Sequence, residues 1–209
     1  MFFKFHFNEK KAVFVEPWEL NDEGGGFALI LRYCGCQLRC PLCYARRYAW
    51  FSEDCNLYHV YWVMKQLSNI ERALRIKVVK RKPRKITWVR IQGGEPCLNF
   101  ERTIATIDFA AAALTVIRKY NVGKFHVSRA IIQTNGVFFS RIDERMLRKI
   151  ENKLIDVLRR IKDYGRIIFE ISFKTPVNKV AMWNPKAFSM TLKAQVVGFK
   201  NLLGIVKNI

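Results

Sequence analysis

One stretch decides how this sequence is organised: Gly35-Cys36-Gln37-Leu38-Arg39-Cys40-Pro41-Leu42-Cys43-Tyr44, here called the cysteine loop. Its three cysteines have a C-x-x-x-C-x-x-C spacing and follow an apolar run at 27–33 that predicts a buried strand. Three thiolates on one short loop are one ligand fewer than a closed zinc or iron–sulfur site takes. The loop therefore predicts a metal centre with one open position. Two other interpretations stay open: small buried side chains, or a zinc knuckle whose fourth ligand lies elsewhere.

The composition is that of a globular protein. With 209 residues, the chain is long enough for one domain with a core and short for two. No apolar run approaches the roughly 20 residues that a membrane helix needs, and residues 1–7 lack the features of a signal peptide.

The cysteines indicate the redox setting. Four of the six lie between Cys34 and Cys43, and such crowding suits a metal better than a disulfide framework. A reduced, cytoplasmic setting is therefore expected. Of the remaining cysteines, Cys34 and Cys97 are close in sequence to the motifs and could lie near the cluster, and a second cluster stays an alternative. Buried free cysteines are the commoner outcome, and this is expected for Cys34, Cys55 and Cys97.

The net charge of +20 would attract polyanions such as RNA or DNA. Lysines and arginines are spread along the chain, however, and only Lys77 to Lys85 form a dense basic run. The charge and the cysteines together support an alternative without catalysis: a basic nucleic-acid-binding module that carries zinc or an iron–sulfur cluster.

Apolar periodicity predicts strands and helices in alternation: strands at 27–33, 85–92, 130–133 and 166–173, and helices at about 58–75, 100–119, 143–163 and 185–203. Such alternation predicts an α/β fold in which a parallel sheet is connected by helical crossovers. Residues 1–26 are expected to form an N-terminal extension, with a short strand at 12–15, and residues 27–209 the core domain.

An unusual motif follows each predicted strand. The cysteine loop follows the first, Gly93-Gly94-Glu95-Pro96 the second and Thr134-Asn135-Gly136 the third, while Ser172 and Lys174 lie at the end of the fourth. Parallel α/β folds bind their ligands at the carboxyl ends of the strands. The four motifs are therefore predicted to share one site.

Together these motifs resemble the radical S-adenosylmethionine (SAM) superfamily over roughly residues 27–175. The likeness is greatest to compact members, such as 7-carboxy-7-deazaguanine synthase and the activases of glycyl-radical enzymes. The resemblance implies a partial TIM-type barrel. Six βα units are usual in that superfamily and four are visible here, so the core is expected to be a minimal version or to lack its C-terminal part.

The resemblance also implies a cofactor chemistry. Cys36, Cys40 and Cys43 would hold a 4Fe-4S cluster whose fourth iron binds SAM, and reductive cleavage of SAM would yield a 5′-deoxyadenosyl radical that abstracts hydrogen from a substrate. The residues expected to contact SAM are Gly93, Gly94, Glu95, Pro96, Thr134, Gly136, Ser172 and Lys174. An enzyme of this kind needs an electron donor such as ferredoxin or flavodoxin. Its substrate stays open among a deazapurine precursor, a protein glycine and an RNA base, the positive charge favouring an anionic partner.

Overall fold

A computed structural model describes residues 2–4, 11–12, 14–22, 27–38, 40, 43, 45, 55–59, 86–120, 128–173 and 185–207. Lys174, the basic run up to residue 85 and residues 60–75 of the first predicted helix lie outside the described residues.

The described elements are, in chain order, β1 (Phe2–Lys4), β2 (Lys11–Ala12), β3 (Phe14–Asp22), β4 (Phe27–Tyr33), β5 (Cys55–His59), β6 (Ile86–Gly93), α1 (Phe100–Tyr120), β7 (Ser128–Thr134), a 3₁₀ turn (Val137–Ser140), α2 (Glu144–Ile161), β8 (Gly165–Ile171) and α3 (Pro185–Lys207). None of the helices within these ranges is long and apolar enough to cross a membrane.

Four neighbouring strands, β4, β6, β7 and β8, are all parallel. The register places Tyr33 opposite Gly93, and Thr134 opposite Ile171. The carboxyl ends of the strands therefore lie at one edge of the sheet, with helices following β6, β7 and β8 in the chain. The α/β prediction is confirmed, whereas closure into a partial barrel stays a prediction.

The sheet continues on the other side of β4 with strands from the N-terminal part of the chain. β3 pairs antiparallel with β4, and β1 pairs antiparallel with β3 and parallel with β5. The prediction that a helix begins at Tyr58 is wrong. Tyr58 and His59 belong to β5, where they pair with β2, so ladder hydrogen bonds engage the backbone groups that a helix would use.

The core lies between the parallel strands and the two helices α1 and α2. Alternate residues of the central strands point to this face, and every fourth or third residue of α2 meets them. Fully buried members of this core include Val89, Ile91, Ile132, Ile107, Leu114, Ile150 and Val157. The start of α2 is fixed by Asp143, whose side chain accepts a hydrogen bond from the backbone N–H of Met146 at 2.7 Å.

Helix α3 packs against the 3₁₀ turn and α2. The fully buried Gln195 donates from Nε2 to the carbonyl oxygens of Asn135 at 2.8 Å and Ser172 at 3.0 Å. One turn further along, Gly198 packs directly against the backbone of Gly136. The helix is thus attached to the carboxyl ends of β7 and β8, where the sequence places two of the four motifs.

Replacing Gly198 with alanine tests this attachment. An added Cβ would overlap the carbonyl oxygen of Gly136, which is backbone and cannot swing away. We expect Gly198→Ala to lower the free energy of unfolding by about 1–3 kcal/mol, a typical cost of overpacking. The measurement is urea unfolding of the cluster-free protein followed by circular dichroism.

Gly204→Ala is the matched control in the same helix. A Cβ at Gly204 meets no atom within 4 Å, so the substitution should stabilise the protein by about 0.5–1 kcal/mol through helix propensity. Equal effects of the two substitutions would contradict the proposed packing of α3.

Candidate metal centre

The cysteine loop begins at a rigid point of the fold. Tyr33 and Cys34 are fully buried at the end of β4, whereas Cys36, Cys40 and Cys43 are half-buried and not disulfide-bonded. The backbone N–H of Cys43 donates to the carbonyl oxygen of Cys40 at 3.1 Å, which closes a turn between these two cysteines. The loop thus presents thiols at the carboxyl edge of the sheet.

The turn after β6 is bound to the cysteine loop through the backbone. Gly94 N donates to Tyr33 O at 2.5 Å and Glu95 N to Gly35 O at 2.8 Å. A Cβ on Gly94 would stand only 2.6 Å from each of these two carbonyl oxygens, and Gly93 has a φ of +103°. Both positions therefore need glycine for the contact between the two loops.

Glu95 joins this turn to the end of β7. Its side chain is 2% exposed and accepts hydrogen bonds from Cys97 N at 2.9 Å, from Asn135 N at 2.8 Å and from the Thr134 hydroxyl. Burial raises the pKa of the Glu95 carboxyl, an effect that these donors partly offset. The carboxylate is therefore a structural link between two strand ends.

Arg102, in the first turn of α1, also connects the end of β4 to the turn after β6. It is 1% exposed, and its Nη1 donates to Cys34 O at 3.0 Å and Glu95 O at 2.9 Å. Burial lowers the pKa of Arg102 to about 10, so the guanidinium remains charged at neutral pH. Arg102 is not among the site residues that the sequence predicts. The available signal was a cation in the first turn of a largely apolar helix, soon after Gly93-Gly94-Glu95-Pro96, here called the glycine turn.

Asn135 is a second residue that sequence reasoning passed over, although both of its neighbours were selected. Its side-chain Nδ2 lies 3.5 Å from the sulfur of Cys36, within hydrogen-bonding distance for sulfur. Asn135, at the end of β7, therefore contacts the loop that follows β4 in the chain.

The structure brings most of the predicted site residues to one edge. Gly93, Gly94 and Ser172 are half-buried, and Ser172 N donates to Thr134 O at 2.8 Å. The other four are buried: Glu95, Pro96, Thr134 and Gly136. Lys174 lies outside the described residues.

The cysteines of the loop suit an iron–sulfur cluster. They are partly exposed thiols, and Cys36 faces an amide donor, the kind of contact that cluster sulfurs receive. In the described part of the chain, no three His, Cys, Asp or Glu side chains converge as ligands of a single metal ion. A cluster does not require such convergence, because its thiolate ligands bind separate irons. The donor set therefore fits a 4Fe-4S cluster.

Two of the remaining cysteines have different states. Cys97 is buried beside Glu95 and is not disulfide-bonded, as expected. The expectation for Cys34 is wrong, because Cys34 is disulfide-bonded. Cys34 is fully buried at the end of β4, whereas the thiols of the cysteine loop are half-buried.

A charged cluster lies on the sheet face opposite α1. Arg90 Nη2 binds both carboxylate oxygens of Glu170 at 2.8 and 2.9 Å, and Gln133 Nε2 donates to the same carboxylate at 2.7 Å. These side chains alternate along their strands with the core residues, so they point to the other face. These hydrogen bonds connect β6, β7 and β8 to one another through their side chains.

Comparison with protein families gives one match. A model described as a 4Fe-4S single cluster domain matches residues 22–158, well over half of the 209 residues.

The chain belongs to this family of 4Fe-4S single cluster domains. The match spans the cysteine loop, the glycine turn and Thr134-Asn135-Gly136, and it fits the resemblance to radical SAM proteins at the level of the iron–sulfur domain. No curated protein and no solved structure matches the chain. A 4Fe-4S cluster is thus the cofactor that the family supports.

Removing the Arg102 cation should destabilise the site and the fold together. Arg102→Met deletes the bonds to the carbonyl oxygens of Cys34 and Glu95 and removes the cation that acts on the buried Glu95 carboxylate, for which we expect a loss of about 3–5 kcal/mol. Arg118→Met is the control on the same helix, because exposed Arg118 stacks on Tyr164 at 4.3 Å and should contribute about 0.5–1 kcal/mol. Urea unfolding of both variants measures the difference. A loss below 1 kcal/mol for Arg102→Met would refute the structural role.

Alkylation should distinguish the half-buried thiols of the cysteine loop from the buried thiol of Cys97. Thiols react as thiolates, and burial raises the pKa of Cys97 well above its usual range. Iodoacetamide at pH 8 should therefore modify Cys36, Cys40 and Cys43 of the cluster-free protein and spare Cys97 until urea unfolds the chain. Peptide mass spectrometry measures the modified fraction at each cysteine. Rapid modification of Cys97 in the folded protein would contradict its burial.

Proposed function

We propose that this protein is a radical SAM enzyme. Support comes from the family of 4Fe-4S domains and from the two backbone hydrogen bonds that join the cysteine loop to the glycine turn. These bonds hold a cluster-binding loop and a turn with accessible backbone next to each other, at the edge where parallel α/β folds bind ligands.

In this proposal Cys36, Cys40 and Cys43 would hold the cluster and leave it one position without a protein ligand, for the amino and carboxylate groups of SAM. When bound, the cluster would supply the electron for reductive cleavage of SAM to a 5′-deoxyadenosyl radical. Gly93 and Gly94, both half-buried, offer backbone carbonyls to the SAM amino group.

The other pocket residues divide into two groups. Ser172 and Lys174 bind the SAM carboxylate or ribose, since a hydroxyl and a cation suit those groups. Glu95 and Thr134 bind each other, and therefore we assign them to holding the loops in place. Pro96 and Gly136, both buried, shape the turns around them.

The hydrogen-donating substrate is unidentified: a deazapurine precursor, a protein glycine or an RNA base is compatible with the site. The positive charge of +20 favours an anionic substrate or partner. A low-potential donor such as ferredoxin or flavodoxin would supply the electron.

Anaerobic reconstitution with iron and sulfide tests the proposal. The wild-type protein should become brown, contain about four irons per chain, as expected for one 4Fe-4S cluster, and release 5′-deoxyadenosine from SAM when dithionite is added. Cys40→Ala should lose both the cluster and the cleavage activity. Cys97→Ala removes a buried thiol outside the loop and should retain both.

If the protein bound a cluster but did not cleave SAM, it would be an iron–sulfur protein and the radical SAM proposal would be wrong. A colourless protein with one zinc per chain would support the alternative, a basic module that binds nucleic acid. Retention of cleavage in Cys40→Ala would show that the ligand assignment is wrong.

A further inference from the structure

We infer that the side-chain amide of Asn135 donates a hydrogen bond to the Cys36 ligand of the cluster and thereby raises the reduction potential of the cluster. The inference rests on the proposed function only in that Cys36 must be a cluster ligand. It assigns to the middle residue of Thr134-Asn135-Gly136 a role that sequence reasoning did not give it.

The orientation of the amide follows from its other contacts. Asn135 Oδ1 accepts a hydrogen bond from the backbone N–H of Val137 at 2.9 Å, and a second from Gln37 Nε2 at 3.3 Å. A backbone N–H can only donate, so the oxygen of the amide must face Val137. The Nδ2 group is therefore the one directed at Cys36 Sγ, 3.5 Å away.

The backbone of Asn135 is fixed by two further elements. Its N–H donates to Glu95 Oε2 at 2.8 Å, and its carbonyl oxygen accepts from Gln195 Nε2 at 2.8 Å. The residue is 5% exposed, so water competes little with these bonds. The donor is consequently held in place before a cluster binds.

A fixed donor at a ligand sulfur affects the two redox states differently. Reduction adds one electron to the cluster, no bond forms or breaks, and the charge on the cluster and its thiolates becomes more negative by one unit. The N–H dipole stabilises this added charge more than it stabilises the oxidised state, which favours reduction. For a radical SAM enzyme, such a contact would make the electron easier to supply.

The test is a redox titration of reconstituted full-length protein, followed by electron paramagnetic resonance of the reduced cluster. Asn135→Asp retains the oxygen that accepts from Val137 but replaces the donor with a carboxylate oxygen. Asn135→Ala removes the donor without adding charge. We expect both midpoint potentials to be more negative than that of the wild type. For Asn135→Ala we expect roughly a tenfold loss in the equilibrium constant for reduction, about 59 mV for one electron.

Asn99→Asp is the matched control for the added charge. Asn99 Oδ1 caps α1 by accepting from Arg102 N at 2.8 Å, a task that aspartate performs equally well. This substitution introduces a carboxylate near the same edge without removing an amide from Cys36. Its midpoint potential should stay close to that of the wild type.

A measurement on the unmutated protein covers the case in which an Asn135 variant fails to assemble. Selective ¹⁵N labelling of asparagine should produce a ¹⁵N coupling to the reduced cluster in pulsed electron paramagnetic resonance. Unchanged potentials in Asn135 variants that contain a full cluster, or no ¹⁵N coupling in the wild type, would overturn the inference and leave the proposed function intact. Absence of a cluster from the wild type, measured by iron content, would overturn both.

Discussion

The candidate site depends on the buried carboxylate of Glu95. Glu95 is 2% exposed, and a buried carboxylate is costly unless donors surround it. Its donors come from its own turn, at Cys97, and from the end of β7, at Thr134 and Asn135. Arg102 supplies a nearby positive charge and binds the carbonyl oxygen of Cys34, directly before the cysteine loop. The Glu95 side chain thus links the ends of β6 and β7, and Arg102 adds the end of β4 to the same contact.

This arrangement separates the residues that hold the site from those available for chemistry. The holding residues are buried and bind one another, as Glu95 binds Thr134. The half-buried groups are the thiols of the cysteine loop, Gly93, Gly94 and Ser172. A rigid support beneath an accessible loop suits a metal centre, because ligands held before binding lose little entropy when the metal arrives.

Helix α3 gives the site a neighbour that no sequence motif indicated. Gln195 binds the carbonyl oxygens of Asn135 and Ser172, and Gly198 lets the helix backbone approach Gly136. The C-terminal helix thus supports the ends of β7 and β8. It also steadies the carbonyl of Asn135, whose side chain reaches Cys36. A substitution on this helix can therefore act on the metal centre without touching it.

Sequence alone determined the α/β class, the four parallel strands and the position of a motif at the end of each of those four strands, because apolar periodicity and turn residues are local signals. The end of β5, at Tyr58 and His59, was predicted as helix, since pairing with β2 is not visible in a local pattern. Only the tertiary structure decided that Gly94 accommodates the cysteine loop, that Glu95 is a buried link, and that Arg102, Asn135 and Gln195 belong to the site. Each of these roles depends on hydrogen bonds between residues far apart in the chain, and the spacing of residues along a sequence carries no record of such contacts.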